Sequence, residues 1–398
     1  MHIGLYSWAG CLMDDVGMDG PDPYSRHYEP ERYAEGYRAL IDLAKRADQT
    51  GYDSFWLTEH HFQREGYQII PNVVLVSAIL AQHTQRLKFG AFFHQTPIWN
   101  PIRLAEDLAI ADIMTNGRML FGTGRGSVQR EMPIFGATFG RGGDADDRAN
   151  RDLFEEQMAI IKLAWSSPEF SYQSDRYTIP APGFLNTGNP ATGRPWDKVT
   201  LVPRPLRKLP IYQAVTSEPT FHYAAREGHV AIFPLGNRTL FAPKWKLFGD
   251  LVEQYQGRKV TGADRLVVVQ VHLGETREEA IARFRGPHDE RNRFLGAQRP
   301  IGGYLDEEGK PFGFGRLPTL EESIEQHGWF VGTPEQVRDG LLKDITTYGI
   351  EQLAVEIAFA GMSKSLIEEQ IAAFATEVRP ALERATAARR SAGAVAVS

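Results

Sequence analysis

Residues 87–126 read LKFGAFFHQTPIWNPIRLAEDLAIADIMTNGRMLFGTGRG, and their reading decides the fold. Leu87 to His94 is an apolar run of strand length. Pro101 opens a helix through Met114, since a proline suits the first helical turn, where its missing N–H is not needed. Gly117 stops that helix. Arg118 to Gly122 is then a second strand, running into Thr123-Gly124-Arg125-Gly126. A strand, a helix and a strand joined by turns of a few residues form the unit from which parallel sheets are built.

The unit repeats on both sides. Before it, Ile3 to Trp8 is a strand. Glu31 to Gln49 is a helix with Tyr33, Tyr37, Leu40, Ile41 and Ala44 at helical spacing, closed by Gly51. Ser54 to His61 is the second strand and Val73 to Gln82 its helix. After it, Asp152 to Trp165 is helical, and strands return at Pro210 to Val215, Val230 to Leu235, Leu266 to Leu273 and Gln352 to Phe359. Helices follow at Pro219 to Glu227, Phe241 to Tyr255, Arg277 to Phe284, Pro334 to Tyr348 and Lys364 to Val378.

Eight strands, each followed by a helix, is the count of a (β/α)8 TIM barrel, an α/β fold. The alternative, an open doubly wound sheet, places a Gly-rich phosphate loop after its first strand. Here that strand runs into Ser7-Trp8-Ala9-Gly10-Cys11, with no such loop. Two irregular stretches, 166–199 and 287–327, read as long insertions at the barrel mouth. The first carries a hairpin at Phe170-Ser171-Tyr172 and Arg176-Tyr177-Thr178. Residues 381–398 are rich in Ala, Arg and Ser without apolar periodicity and read as a disordered tail.

At roughly 150 residues per domain, 398 residues suggest two or three domains, but α/β barrels exceed that size as one. Residues 1–380 read as a single barrel domain. A hydrophobic fraction of 42% with 24% charged residues supports a sizeable core. The net charge of −6 gives no general attraction to nucleic acid or anionic membranes. A single cysteine, Cys11, excludes a disulfide framework and a Cys-based zinc site. Met1-His2-Ile3-Gly4-Leu5 enters a strand with no signal-peptide pattern, and no run approaches about 18 apolar residues. A soluble cytoplasmic protein is expected.

A barrel builds its active site at the C-terminal ends of its strands. Those ends offer Glu59-His60-His61, His94-Gln95-Thr96, Gly124-Arg125-Gly126-Ser127 and Thr216-Ser217-Glu218-Pro219-Thr220, with Glu356 in the last strand. A metal set of His60, His94 and Glu356 is one reading. However, His60 and His61 are adjacent and point apart on a strand, and no metal is expected. A glycosidase would need facing carboxylates, and only Glu59 with Glu356 offers them. The fourth and fifth ends together suit an anion. Gly124 and Gly126 let backbone approach a ligand, Arg125 brings a fork of donors, and Thr216 or Ser217 caps a helix whose N–H groups favour phosphate. Taken singly, Arg125 is as readily a surface ion pair and Ser217 an ordinary helix cap.

Phe55-Trp56-Leu57-Thr58-Glu59-His60-His61-Phe62 resembles the bacterial luciferase-like flavin monooxygenases. The resemblance continues in order. Asn100-Pro101-Ile102-Arg103-Leu104-Ala105-Glu106-Asp107 leads into the third helix, and Asn116-Gly117-Arg118 and Phe121-Gly122-Thr123-Gly124-Arg125-Gly126 form the fourth strand. Pro203-Arg204-Pro205-Leu206 precedes the fifth strand, and Val331-Gly332-Thr333-Pro334-Glu335-Gln336-Val337 begins the last crossover. It implies a barrel that uses reduced FMN, delivered by a separate flavin reductase, to activate O2 as a flavin C4a-(hydro)peroxide and oxidise a small, largely apolar organic substrate.

By the same resemblance His60 handles protons, Arg125 holds the FMN phosphate, and Ser217 and Thr220 belong to the phosphate cup. Phe93 lies where the third strand passes under the isoalloxazine, with a cis Phe92–Phe93 peptide, and Glu131 lies near the flavin. A homodimer or higher homo-oligomer, paired through helices near the second and third strands, is also implied. Gly124 replaces the luciferase cysteine and Thr216 an acidic residue, which counts against light emission. His61 is either a second site residue or a packed strand-end histidine. Glu59 either orients a histidine or, as favoured here, bonds a nearby backbone group. Trp8 and Trp99 are the expected substrate-pocket residues. The alternatives are a deazaflavin-dependent oxidoreductase on the same barrel and a non-catalytic barrel subunit.

Overall fold

The strands close into one parallel sheet in the computed structural model, which describes residues 1–126, 128–140, 143–182, 197–326 and 328–395. They are β1 (His2–Ser7), β2 (Ser54–Leu57), β3 (Lys88–Ala91), β4 (Met119–Gly124), β5 (Ile211–Ala214), β6 (Val230–Pro234), β7 (Arg265–Leu273) and β8 (Gln352–Ala358). Neighbours pair in chain order, and β8 returns to β1 with Gln352 opposite His2 and Glu356 opposite Tyr6. The expected (β/α)8 barrel is formed. The chain's contacts fall into two compact units. Met1–Phe93, Leu120–Thr123 and Pro210–Ser398 make one, which holds the barrel strands except the two end residues of β4. His94–Met119 and Gly124–Leu209 make the other.

The barrel interior is filled by Trp56, Phe92, Leu120, Tyr212, Ile232, Leu266 and Ala354. Alternate residues of a strand share a face. Glu356, two places beyond Ala354, and Gln270, two beyond Val268, therefore point inward at the C-terminal end. At Gly122 the β4 backbone lies so close to β3 that any Cβ would overlap the Ala91 carbonyl oxygen. That position needs a glycine whatever its φ.

The first unit's helices are α1 (Pro30–Gln49) and α2 (Val73–Ala81), and the second unit's are α3 (Pro101–Met114) and α4 (Ala145–Ser166). In the first unit follow α5 (Glu218–Glu227), α6 (Arg238–Gln256), α7 (Arg277–Gly296) and α8 (Leu320–Gln326). They continue with α9 (Pro334–Tyr348), α10 (Lys364–Ala373) and α11 (Arg379–Val395). The chain belonging to the expected hairpin pairs antiparallel, Tyr172 with Ile179 and Gln173 with Thr178.

Four expectations are corrected. β2 ends at Leu57, not His61. α4 begins at Ala145, seven residues before the expected start, because Asp144 caps it by accepting the Asp147 N–H at 2.7 Å. α7 continues through Pro287 to Gly296, so the second insertion is shorter than expected. An internal proline removes one helical hydrogen bond, but the far half is held by tertiary contacts: the Phe294 ring stacks on Tyr67 at 4.1 Å, and buried Glu290 pairs with Arg26 at 2.9 Å. Finally, residues 381–395 are helical, not a disordered tail. Leu382 and Thr386, four apart on that helix, are buried, and Arg389 and Arg390 pair with Glu351. Beyond the eight strands, Trp329–Gly332 adds a short strand beside the end of β7.

His272 in β7 is fully buried, stacked on Phe284 at 4.6 Å, and neither ring nitrogen has a hydrogen-bond partner among the described residues. Burial, with a smaller push from Arg283, lowers its pKa from 6.5 to about 3. Burial also lowers that of His2 to about 4. The unfolded chain therefore takes up these protons first, and stability falls as pH drops from about 6.5 toward 3. Each neutral histidine contributes a slope of about 1.4 kcal/mol per pH unit. His272→Phe is expected to make the loss of denaturant stability between pH 7 and pH 5 shallower. An unchanged slope would show that His272 does not carry this dependence.

Candidate functional site

The early end of β2 decides how its histidines are presented. Past Leu57 the chain turns. Thr58 Oγ1 donates to the Trp8 carbonyl at 3.3 Å, the His60 N–H donates to the Ile70 carbonyl at 3.0 Å, and Phe62 takes a left-handed φ of 58°. His60 and His61 thus sit on a loop, free of the alternation that sends strand neighbours to opposite faces. His61 Nε2 lies 3.5 Å from a carboxylate oxygen of buried Glu59. Glu59 therefore faces a histidine, one of its two expected roles.

β3 brings an aromatic layer to the same unit. Phe92 stacks on Trp56 at 4.5 Å and approaches Tyr6 at 5.1 Å, with Phe93 beside it at 5.4 Å. The Phe92–Phe93 peptide is cis, as the resemblance implied. Trp56 is core: its Nε1 donates to Ser54 Oγ at 2.8 Å. Trp8 lines a cleft with Cys11, Met13, Leu40 and Met362. Burial pushes the Cys11 thiol up to about 11, so it stays protonated and unreactive.

The start of α5 is built by Thr220. Its hydroxyl accepts the Thr216 and Ser217 N–H groups, each at 3.1 Å, and donates to the Ser217 carbonyl at 2.6 Å. A hydroxyl has one donor and two acceptor sites, so Thr220 is saturated. It positions the helix start and has nothing left for a ligand. Ser217 is the N-cap residue of a capping box with Thr220, and its side chain faces the Thr220 N–H without a hydrogen bond of ordinary geometry. Its Oγ is buried without a hydrogen-bond partner among the described residues. Thr216 is exposed. The ordinary-cap reading of Ser217 therefore stands beside the phosphate reading. A weakly held hydroxyl at the positive end of a helix fits the phosphate of FMN.

In the second unit, Arg125 Nη1 donates to Asp147 Oδ1 at 2.8 Å and to the Asp147 carbonyl at 3.2 Å. Burial raises the Asp147 pKa, but Arg125, Arg151 and the Gly143 N–H outweigh it and hold the carboxyl below its usual range. Arg125 is thus in an ion pair, four-fifths buried, which anchors its guanidinium to α4. Gly124, before it, is the buried last residue of β4. Glu131 is fully buried and accepts from Gln95 Nε2 at 2.5 Å. Trp99 meets His94 edge-on at 6.4 Å, and its carbonyl accepts from Gln157 at 3.0 Å. Ser127 and His327 lie outside the described residues.

Sequence reasoning weighed Glu356 only as a metal or glycosidase carboxylate and did not find its partners. Gln270 Nε2 donates to Glu356 Oε2 at 2.9 Å, and Arg291 Nη2 lies 3.4 Å from the same oxygen. The parity of β7 and β8 would have placed Gln270 and Glu356 on one face, but Arg291 was hidden in a stretch read as an insertion. Among the described residues no group of three or more His, Cys, Asp or Glu side chains is arranged to hold a metal ion, and no helix is long and apolar enough to cross a membrane.

The family model for luciferase-like monooxygenases matches residues 21–352. The oxygenase component of the flavin-dependent trigonelline monooxygenase of Acinetobacter baylyi is 28% identical over 50% of this chain and 49% of its own. The chain thus spans about half the length of that relative. The alkanal monooxygenase alpha chain of Photorhabdus laumondii is 24% identical over 89% of this chain and 96% of its own. Among solved structures, the oxygenating constituent of 3,6-diketocamphane monooxygenase from Pseudomonas putida, in complex with FMN, superposes with a TM-score of 0.73. That match has 20% identity and covers 96% of this chain and 98% of the other.

The hydroxyl assignments at α5 separate by stability. Thr220→Val strands two backbone N–H groups and is expected to cost about 1–2 kcal/mol in chemical unfolding. Ser217→Ala removes a hydroxyl held only by a weak capping contact and is expected to cost less than Thr220→Val. An equal loss in both would make Ser217 a structural cap.

Proposed function

The chain belongs to the luciferase-like monooxygenase family, and from that premise we propose that it is the oxygenase of a two-component system, using reduced FMN and O2 to oxidise a small organic molecule. The observation that carries the proposal is the buried Ser217 hydroxyl at the start of α5, which makes no hydrogen bond of ordinary geometry. Reduced FMN, when bound, supplies the two electrons that let O2 place one oxygen atom in the substrate and the other in water. The protein's own residues bind, orient and exclude water.

Ser217 Oγ would donate to the FMN phosphate, with Thr220 holding the helix start in shape. The resemblance gives Arg125 the same anion. Its ion pair with Asp147 keeps the guanidinium fixed, so little side-chain entropy remains to be lost on binding. Tyr6, Phe92 and Phe93, tilted against one another by 57° and 34°, form an apolar layer suited to keeping water from the reacting centre. His60 would hold and return a proton, as an imidazole can near neutral pH. His61, paired with Glu59, and Glu131, bound by Gln95, are assigned supporting positions.

The reductase partner is supported by two of the matches, one named an oxygenase component and one an oxygenating constituent. Self-association is supported by exposed apolar pairs four residues apart on each of two helices, Leu75 and Ile79 on α2, Ile110 and Met114 on α3.

With reduced FMN regenerated by a general flavin reductase, a panel of organic substrates should yield a product heavier by one oxygen atom, drawn from 18O2 by mass spectrometry. Ser217→Ala and Arg125→Ala should each weaken reduced-FMN binding about tenfold or more. His60→Ala should keep FMN affinity but divert O2 consumption to hydrogen peroxide. Unchanged coupling in His60→Ala would remove its proton-handling role, and unchanged FMN affinity in Ser217→Ala would remove the phosphate site.

A further inference from the structure

A neutralised ion pair stands at the C-terminal end of the barrel interior. Glu356, 1% exposed, uses only Oε2 in hydrogen bonds, to Gln270 and Arg291. Among the described residues its Oε1 accepts nothing. Arg291 makes one hydrogen bond, from Nη2 to Glu356, out of five possible donors. The guanidinium is fixed from its sides, with its carbon 4.9 Å from the centre of the Trp8 ring and 5.3 Å from that of Trp329. Both charged residues line the cleft that Trp8, Met13, Leu40 and Met362 make apolar.

We propose that Glu356 and Arg291 form the polar subsite of the substrate pocket and take an uncharged head group that both donates and accepts hydrogen bonds, a hydroxyl or a carboxamide. The open carboxylate oxygen accepts from the head group's O–H or N–H, and the open guanidinium N–H groups donate to its oxygen. Charge balance sets the selectivity. With the pair intact the cleft carries no net charge. An anion would compete with Glu356 for Arg291 and leave a buried carboxylate uncompensated, and a cation would do the converse. A purely hydrocarbon substrate would bury the open donors and acceptor without a partner. The cavity, about 80 Å³, admits a head group of a few heavy atoms, with the apolar body outside it. This replaces the largely apolar substrate expected from the sequence with one of two-sided character. It deepens the monooxygenase reading by taking the barrel mouth as the substrate site.

The test reads binding alone, without flavin or turnover, so its failure leaves the oxygenation reading to its own assay. Wild-type protein is titrated by ligand-observed NMR with 1-hexanol, hexanamide, hexanoate, hexylammonium and 1-chlorohexane. The alcohol and the amide are expected to bind about tenfold or more tighter than the two ions and the chloride, the worth of a hydrogen bond to a charged group. Glu356→Gln leaves Arg291 uncompensated and is expected to reverse the order in favour of hexanoate. Arg291→Gln leaves Glu356 uncompensated and is expected to favour hexylammonium. Wild-type affinities that do not distinguish the five probes would overturn the proposal, as would two folded variants that keep the wild-type order.

Discussion

A closed parallel sheet has no edge, so every strand must find hydrogen-bond partners on both sides. β7 meets this demand with three neighbours. Its first residues, Arg265–Val268, pair with Ala231–Pro234 of β6, and Val267–Gln270 pair with Leu353–Glu356 of β8. Its last residues, Gln270–Leu273, pair with Trp329–Gly332. The register that closes the barrel also sets Tyr6, Gln270 and Glu356 level with one another. The polar layer at the mouth is thus a consequence of closure, and a slip of one residue in β7 or β8 would turn Gln270 or Glu356 out of the interior.

The site features share one physical logic, in which side chains of fixed geometry are left with unused hydrogen-bonding capacity. At α5 the Thr220 hydroxyl makes three hydrogen bonds while its capping-box neighbour Ser217 makes none of ordinary geometry. At the mouth, Gln270, Trp8 and Trp329 hold Glu356 and Arg291 in place without saturating either. Unsatisfied buried groups lower stability, and their placement at strand ends, where barrels bind ligands, gives them a use. His272 is the contrasting case. It too lacks partners among the described residues, but its ring is fully buried and stacked on Phe284, where it acts on stability.

The fold was legible because the barrel strands are short apolar runs bounded by glycine and proline. Errors arose where tertiary contacts overrode local signals. Pro287 reads as a break, yet Glu290 and Phe294 carry α7 past it by contacts with Arg26 and Tyr67, far away in sequence. Residues 381–395 lack a strong apolar stripe, but alanine and arginine favour helix, and two buried positions, Leu382 and Thr386, suffice to dock it. The histidine pair was legible as a site, whereas its presentation depended on where β2 stopped, a boundary that periodicity does not give. Ser217 was found by the helix-start pattern. That Thr220 would spend its hydroxyl on the helix start is a matter of rotamers, which a sequence pattern does not give.

The central claim, that the chain binds reduced FMN as the electron source for O2 chemistry, is tested most directly by anaerobic titration with reduced FMN and, in parallel, with a reduced deazaflavin. Saturable binding of reduced FMN, with the deazaflavin bound at least about tenfold more weakly and O2 consumed once air is admitted, is the predicted result. Tight binding of the deazaflavin with no measurable affinity for FMN would contradict it and make the barrel a hydride-transfer enzyme.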